Sequence, residues 1–326
     1  MSEMLEKCSV CLALIDEEDL FCANCGREAP NRNLAAEQTT TLHATHNFQC
    51  DGCGASMSYD ASAQNLRCPF CGSTALQPQR DIQVLSPRRI VPFRIPQQDA
   101  QAILRKWLGH SFWHPSDLAK NATIDTMRAV YVPYWVFSAR TLTYWTADSS
   151  DVPYTARAKW RPVSGEHRGR YSGLLIGASS VLSPQETQAI CPYDLSHGVP
   201  PDQVDLENAV FEQFRVQRRY ARPLAQQGLE ASEINACRAY VPGEARNVRV
   251  NVRIEGLNSE PLLVPVWIMA YRYKDQVYRF LINGQSGQAT GDAPSDWKKP
   301  LLIAVVVGAT VLGIVTLFAL CAGLGS

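Results

Sequence analysis

The sequence has no surplus of either charge. Lysine and arginine total 31, and so do aspartate and glutamate. A uniformly basic coat, the usual source of nucleic-acid affinity, is therefore excluded. Histidine is scarce, with six residues at positions 43, 46, 110, 114, 167 and 197. The chain contains no HExxH, no GxGxxG after a strand-like run, no Walker A segment and no GxSxG elbow. Those absences remove the usual signatures of zinc peptidases, nucleotide users and serine hydrolases. Glu166-His167 is an isolated acid–imidazole pair in a Gly- and Arg-rich stretch and reads as a loop. Asp148 and Asp151 read as a polar turn. Met1–Lys7 is short, polar and acidic, which is not the pattern of a signal peptide.

Cysteine is plentiful and concentrated. Eight of eleven fall in four CxxC pairs: Cys8/Cys11, Cys22/Cys25, Cys50/Cys53 and Cys68/Cys71. Ten residues separate the first two pairs and fourteen separate the second two. Both spacings suit a zinc ribbon, in which each CxxC closes a knuckle and a hairpin runs between knuckles. Two zinc ions are therefore expected, one per four-cysteine set. Gly26, Gly54 and Gly72 follow the second cysteine of three pairs and free the backbone to aim amides at sulfur. Paired disulfides are the competing reading, but nothing signals export and reduced thiols are expected inside cells. A redox dithiol needs one CxxC beside a βαβ pattern, which is absent here. Iron–sulfur binding also uses four cysteines, but hairpin-spaced pairs favour zinc. His43 and His46 read as linker residues. Cys191, Cys237 and Cys321 read as ordinary buried or membrane-embedded cysteines.

At the other end, residues 301–324 (LLIAVVVGATVLGIVTLFALCAGL) carry no charge. At about 1.5 Å per residue such a run exceeds the ~30 Å hydrocarbon layer. Lys298 and Lys299 precede it and place its N-terminal side in the cytoplasm. The expectation is a single-pass tail anchor in the inner membrane, with everything before it cytoplasmic. Small-xxx-small spacing at Ala309/Gly313 and Ala319/Gly323 leaves homo-oligomers open.

Charge is unevenly distributed. Residues 1–30 hold seven acidic side chains against Lys7 and Arg27, and residues 43–80 balance Arg67 and Arg80 against Asp51 and Asp60. Neither ribbon has the basic face that phosphate binding needs. Basic residues gather in 157–170 and 215–222. Solvated surface is the plain reading of both; contact with anionic lipid is the functional one.

The expected organisation is a first ribbon (1–30), a linker (31–42), a second ribbon (43–80), an α+β domain (81–293) and the anchor (301–324). Helices are expected at Gln97–Gly109, Asp205–Arg222 and Glu230–Ala239. Strands are expected at Ala129–Ala139, Thr141–Ala147, Asn247–Ile254, Leu262–Tyr273 and Gln276–Ile282, with a hairpin turn at Lys274-Asp275. Val132-Pro133-Tyr134-Trp135 resembles Val264-Pro265-Val266-Trp267, and each sits at the start of a strand. The domain accordingly reads as two related units, about 85–225 and 226–293.

FQCDGCGASMSYDASAQNLRCPFCGS (48–73), IVPFRIPQQDAQAILRKWL (90–108), AVYVPYWVFSAR (129–140), WRPVSG (160–165), CPYDL (191–195) and residues 264–294 resemble a bacterial family of membrane-attached TFIIB-type zinc-ribbon proteins. Its members are often labelled primosomal replication-helicase-like. The chain has no ATPase motif, so helicase activity is not carried over. The resemblance implies a cytoplasmic domain at the membrane that serves membrane stress, with SPFH-like or coat proteins as partners. The acidic first ribbon reads as a variable addition. The leading expectation is a non-enzymatic, tail-anchored adaptor whose ribbons dock partner proteins. A nucleic-acid-associated replication or transcription factor is the alternative, and an enzyme hidden in the central domain is the third.

Overall fold

The computed structural model describes residues 6–7, 14–15, 41–43, 47–58, 66–79, 83–110, 114–206, 209–214, 216, 218–296, 299, 308–311 and 313. In chain order, β1 (Glu6–Lys7) pairs with β2 (Leu14–Ile15). Next come β3 (Thr41–His43), the hairpin of β4 (Asn47–Cys50) and β5 (Ser56–Ser58), and β6 (Leu76–Gln79) on the far side of β4. Strand β7 (Gln83–Leu85) returns to pair with β3, bracketing the second ribbon. Then follow β8 (Arg89–Ile90), α1 (Gln97–His110), α2 (Leu118–Asn121), β9 (Thr123–Ser149), β10 (Arg161–Gly177), α3 (Pro184–Ala189) and β11 (Phe211–Glu212). The chain continues with α4 (Arg218–Arg238), β12 (Ala245–Tyr273), β13 (Gln276–Asn283) and β14 (Ala289–Gly291).

The expected α+β domain is corrected by this architecture. Most of it is one large mixed sheet with few helices, ordered β14-β13-β12-β9-β11-β5-β4-β6, with β10 added to β9 and β8 to β12. Strands β9 and β12 are 27 and 29 residues long and pair antiparallel from Thr123/Arg272 to Ser149/Ala245. The breaks expected near Arg140 and over 255–261 are absent. Polar residues there lie on an exposed face, and a polar outer position does not end a strand. The helix expected at Asp205–Arg222 is also corrected. Phe211–Glu212 pair in the sheet, Leu206, Ala209 and Phe214 pack near Tyr131 and Leu263, and helix begins only at Arg218. Strand pairing and burial override a local helical stripe.

The two VPxW segments lie against each other, with Val132 paired to Val264. Around that point the fold repeats. Strand β8 runs parallel to β12 at Leu263, and β11 runs parallel to β9 at Tyr131. The carbonyl of Pro133 accepts from Ala178 N–H at 2.9 Å, and that of Pro265 from Gly284 N–H at 2.8 Å. Trp135 Nε1 donates to the Val216 carbonyl at 2.9 Å and Trp267 Nε1 to that of Ile95 at 2.8 Å. Phe214 and Phe93 stand 5.6 and 5.4 Å from the respective indoles. The related units are therefore β8-α1-β9-β10 and β11-α4-β12-β13, so the second begins near Phe211, ahead of 226. Each helix packs on the other unit's hairpin. Ala100, Leu104 and Leu108 of α1 meet Trp267, Met269 and Phe280, while Ala221, Ala225 and Leu229 of α4 meet Trp135 and Phe137.

Both helices cover the odd-numbered face of β9. The even-numbered face is covered at its centre, where Val130, Val132, Tyr134 and Val136 share a core with Met57, Cys68 and Phe70 of the ribbon and with Ile190 and Tyr193. From Arg140 onward that face belongs to none of the core clusters of described residues, although Leu142 on it is buried.

Among the described residues no helix is long and apolar enough to cross a membrane. This finding overturns the expected anchor at 301–324 and the single-pass inner-membrane localisation built on it. Within that run only 308–311 and 313 are described, as exposed helix.

Candidate metal centre

The β4–β5 hairpin carries Cys50 and Cys53, and the turn before β6 carries Cys68 and Cys71. Strand β6 pairs Leu76 with Cys50, which brings the two turns together. Each turn closes in the same way. Gly54 N–H donates to the Cys50 carbonyl at 2.8 Å, and Gly72 N–H to the Cys68 carbonyl at 2.8 Å. Gly54 and Gly72 have φ of 77° and 75°. A side chain is disfavoured in that left-handed region, so both turns call for glycine.

All four Sγ atoms lie within 4.8 Å of one another, with Cys50–Cys71 and Cys53–Cys68 at 3.5 Å. A tetrahedron with metal–sulfur bonds of about 2.3 Å has sulfur–sulfur edges of about 3.8 Å, so the cluster has the right size for one metal ion. Cys50 and Cys68 are buried, Cys53 is half-buried and Cys71 is exposed. The hydrogen bond from the Cys68 thiol pushes Cys53 down to about 5, and the same bond pushes Cys68 up. Burial pushes Cys71 up to about 11. The thiols thus compete for one negative charge, a conflict that a cation would relieve. Cys8, Cys11, Cys22 and Cys25 lie outside the described residues.

This ribbon is part of the sheet. Glu212 of β11 pairs with Met57 and Phe211 with Ser58, while Phe211 also meets Tyr131 of β9. Gln213 N–H donates to the Ser56 carbonyl at 2.9 Å, and its side-chain amide donates to Asn47 Oδ1 at 2.8 Å. Glu212 is fully buried beside the centre. Its Oε1 accepts from Ser180 N–H at 2.7 Å and Ser180 Oγ at 3.1 Å, while Oε2 has no partner. Burial lifts this carboxyl to about 7, against the hydrogen bonds from Ser179 and Ser180.

A second group of metal-ligating side chains, His167, Glu233 and Cys237, gathers under α4. His167 is corrected from loop to strand β10, where it and Glu166 point to opposite faces. Its Nδ1 stands 2.7 Å from Glu233 Oε2, Thr141 Oγ1 donates to Glu233 Oε1, and Cys237 Sγ lies 3.9 Å from Oε2. Two ligands at about 2.0 Å on one tetrahedral zinc stand about 3.3 Å apart. The 2.7 Å separation is instead a hydrogen bond between His167 and Glu233. Burial raises the Glu233 carboxyl, but hydrogen bonds from Thr141, His167 and Tyr171 outweigh it and hold the group below its ordinary value. The sequence carried a signal for this group that the strand and helix boundaries obscured. Ala221, Ala225, Leu229, Glu233 and Cys237 follow one another at i+4, which places an acid in a buried stripe.

No family model matches the chain, and no solved structure matches it. It is similar to a Bacillus subtilis (strain 168) protein named "Uncharacterized protein YdjG", with 24% identity over 326 aligned residues, covering 82% of this chain and 96% of that one. The printed name of that protein brings no activity with it.

Proposed function

We propose that the chain is a non-enzymatic adaptor, a β-sheet scaffold stapled by zinc that docks a partner protein. Zinc is held by Cys50, Cys53, Cys68 and Cys71, and a second ion by Cys8, Cys11, Cys22 and Cys25. The observation that carries this reading is the closed four-thiolate geometry of the described cluster. Four thiolates fill a tetrahedral shell and leave no position for an activated water, so the metal serves structure. The merger of ribbon and sheet supports the same reading, because the metal then rigidifies a platform larger than the ribbon itself.

The test is a crosslinked pull-down with the full-length protein, with recovered proteins identified by mass spectrometry. It is run beside Cys68→Ser/Cys71→Ser, with zinc measured by elemental analysis on the same samples. A discrete protein recovered with the wild type and lost with the variant is expected. Absence of any specific protein, or full recovery with the zinc-free variant, sinks the adaptor reading.

A further inference from the structure

Beyond Arg140 the even-numbered face of β9 leaves Tyr144 and Thr146 exposed while Leu142 is buried, and the strands on either side bring arginines to it. Register sets the rows. Arg170 is opposite Arg140, Arg168 and Arg253 flank Leu142, and Arg249 is beside Thr146. Residues paired across antiparallel strands share a face. The odd-numbered partners point the other way, toward α4, as the packing of Trp145, Ala147, Val163 and Val250 near Cys237 requires. Arg140, Arg168, Arg170, Arg249 and Arg253 are all exposed. Among the described residues no carboxylate pairs with any of them. The one further arginine of this face, Arg246, is engaged: it bridges to Asp148 at 3.2 Å and lies 4.2 Å from the Trp160 ring centroid. Near the middle stands Tyr144, 55% exposed, between Glu166 and Asn251. Open depressions of about 550 and 620 Å³ run along this face beside Tyr144 and Asp148.

We infer that this face is the docking surface of the adaptor and that it takes an extended acidic segment of the partner protein. The inference rests on the adaptor reading above and names the chemistry of its partner. Among the described residues five guanidinium groups without a carboxylate partner outnumber the two acids that also lack one on this face, Glu166 and, at the bulge beside Arg140, Glu255, so the surface is complementary to carboxylates. Each arginine offers a planar fork that matches a carboxylate bidentately. Arginine and tyrosine are also the side chains enriched at protein hot spots. From the Arg140 row to the Asp148 row the face is about 27 Å long, and its outer strands are about 10 Å apart. Those dimensions fit about eight extended residues. A nucleic-acid strand fits less well. Its continuous phosphates would meet Glu166 beside the exposed ring, whereas discrete carboxylates can avoid it.

The probe is a fluorescein-labelled peptide of about eight glutamates, titrated with full-length protein at low salt and followed by anisotropy. Saturable binding is expected, and Arg168→Glu/Arg253→Glu should weaken it at least about tenfold. Arg168→Lys/Arg253→Lys should weaken it severalfold, because charge remains and the fork is lost. Arg105→Glu, on exposed α1, should leave binding unchanged. Circular dichroism checks that each variant folds. Non-saturable binding, an unaltered affinity after charge reversal, or equal loss with Arg105→Glu overturns the inference. Tenfold tighter binding of an oligothymidylate of matched charge overturns it in favour of nucleic acid. Placing the charge-reversal variant in the pull-down separates the two readings. A partner still recovered at the wild-type level leaves the adaptor standing and removes this face from it.

Discussion

Helices α1 and α4 occupy equivalent places on two related hairpins, but different chemistry lies beneath them. Under α1 the contact is apolar, with Ala100, Leu104 and Leu108 on Trp267, Met269 and Phe280. Under α4 the stripe starts with Ala221, Ala225 and Leu229 and then turns polar at Glu233, which meets His167 and Thr141. The ribbon also joins the sheet at β9, through β11, and packs on the face opposite α4, the same face that carries the arginines farther along. The repeat supplies the frame, and the departures from it collect around β9 and β10, on both faces. Buried ion pairs are weak evidence for stability, so the polar patch under α4 is not explained as a stabilising device alone.

The strongest way to break this comparison is to remove the metal ligands. Cys68→Ser/Cys71→Ser should abolish metal binding and cost on the order of 5 kcal/mol or more, because metal binding supplies most of a ribbon's folding energy. Hydrogen exchange should show the loss spreading into β11 and the centre of β9, with β13 and β14 affected least. A loss confined to 47–79 would make the ribbon an appendage.

Next in size is the pair of indoles. Trp135→Ala and Trp267→Ala should each cost about 3–5 kcal/mol in urea unfolding, since each removes a buried ring and a hydrogen bond to the opposite segment. The two values should agree within about 1 kcal/mol. A wider gap would mean that the two locks, although alike in geometry, are unequal in energy.

The smallest effect concerns Glu233. Its carboxyl is held below its ordinary value, so the charged form stabilises the fold above the unfolded carboxylate pKa. That stabilisation disappears as pH falls through the lower folded value. Glu233→Gln should therefore cost about 1–3 kcal/mol at pH 7, and the difference from wild type should shrink below about pH 4. Thermal melts across that range would check it, and a pH-independent difference would show that packing rather than charge holds the site.

Much of the metal centre was legible because its information is local. Cys50-x2-Cys53 and Cys68-x2-Cys71, each followed by glycine, specify two knuckles whatever the rest of the chain does. Helix α1 was legible for the same reason, since Ala100, Leu104 and Leu108 repeat at helical spacing. The start of the second unit was missed. Ile90-x2-Phe93-Arg94-Ile95 and Phe211-x2-Phe214-Arg215-Val216 match in sequence, but the stripe through Leu206 and Val210 suggested a helix over that ground. The apolar run at 301–324 read as a membrane span on hydropathy alone. Among the described residues no helix is long and apolar enough to cross a membrane, so that reading is not supported.

The sequence by itself determined that four thiols would meet at 50, 53, 68 and 71, and that two VPxW strands were related. Short-range spacing and backbone freedom settle both. Only the tertiary structure decided that the VPxW segments pair with each other and that each helix crosses to the other hairpin. It also decided that the ribbon is stitched into the sheet at β11 and that arginines 140, 168, 170, 249 and 253 share one face. These outcomes depend on register between strands more than a hundred residues apart. Register follows from which faces are buried together, and that choice is made by the whole sheet at once.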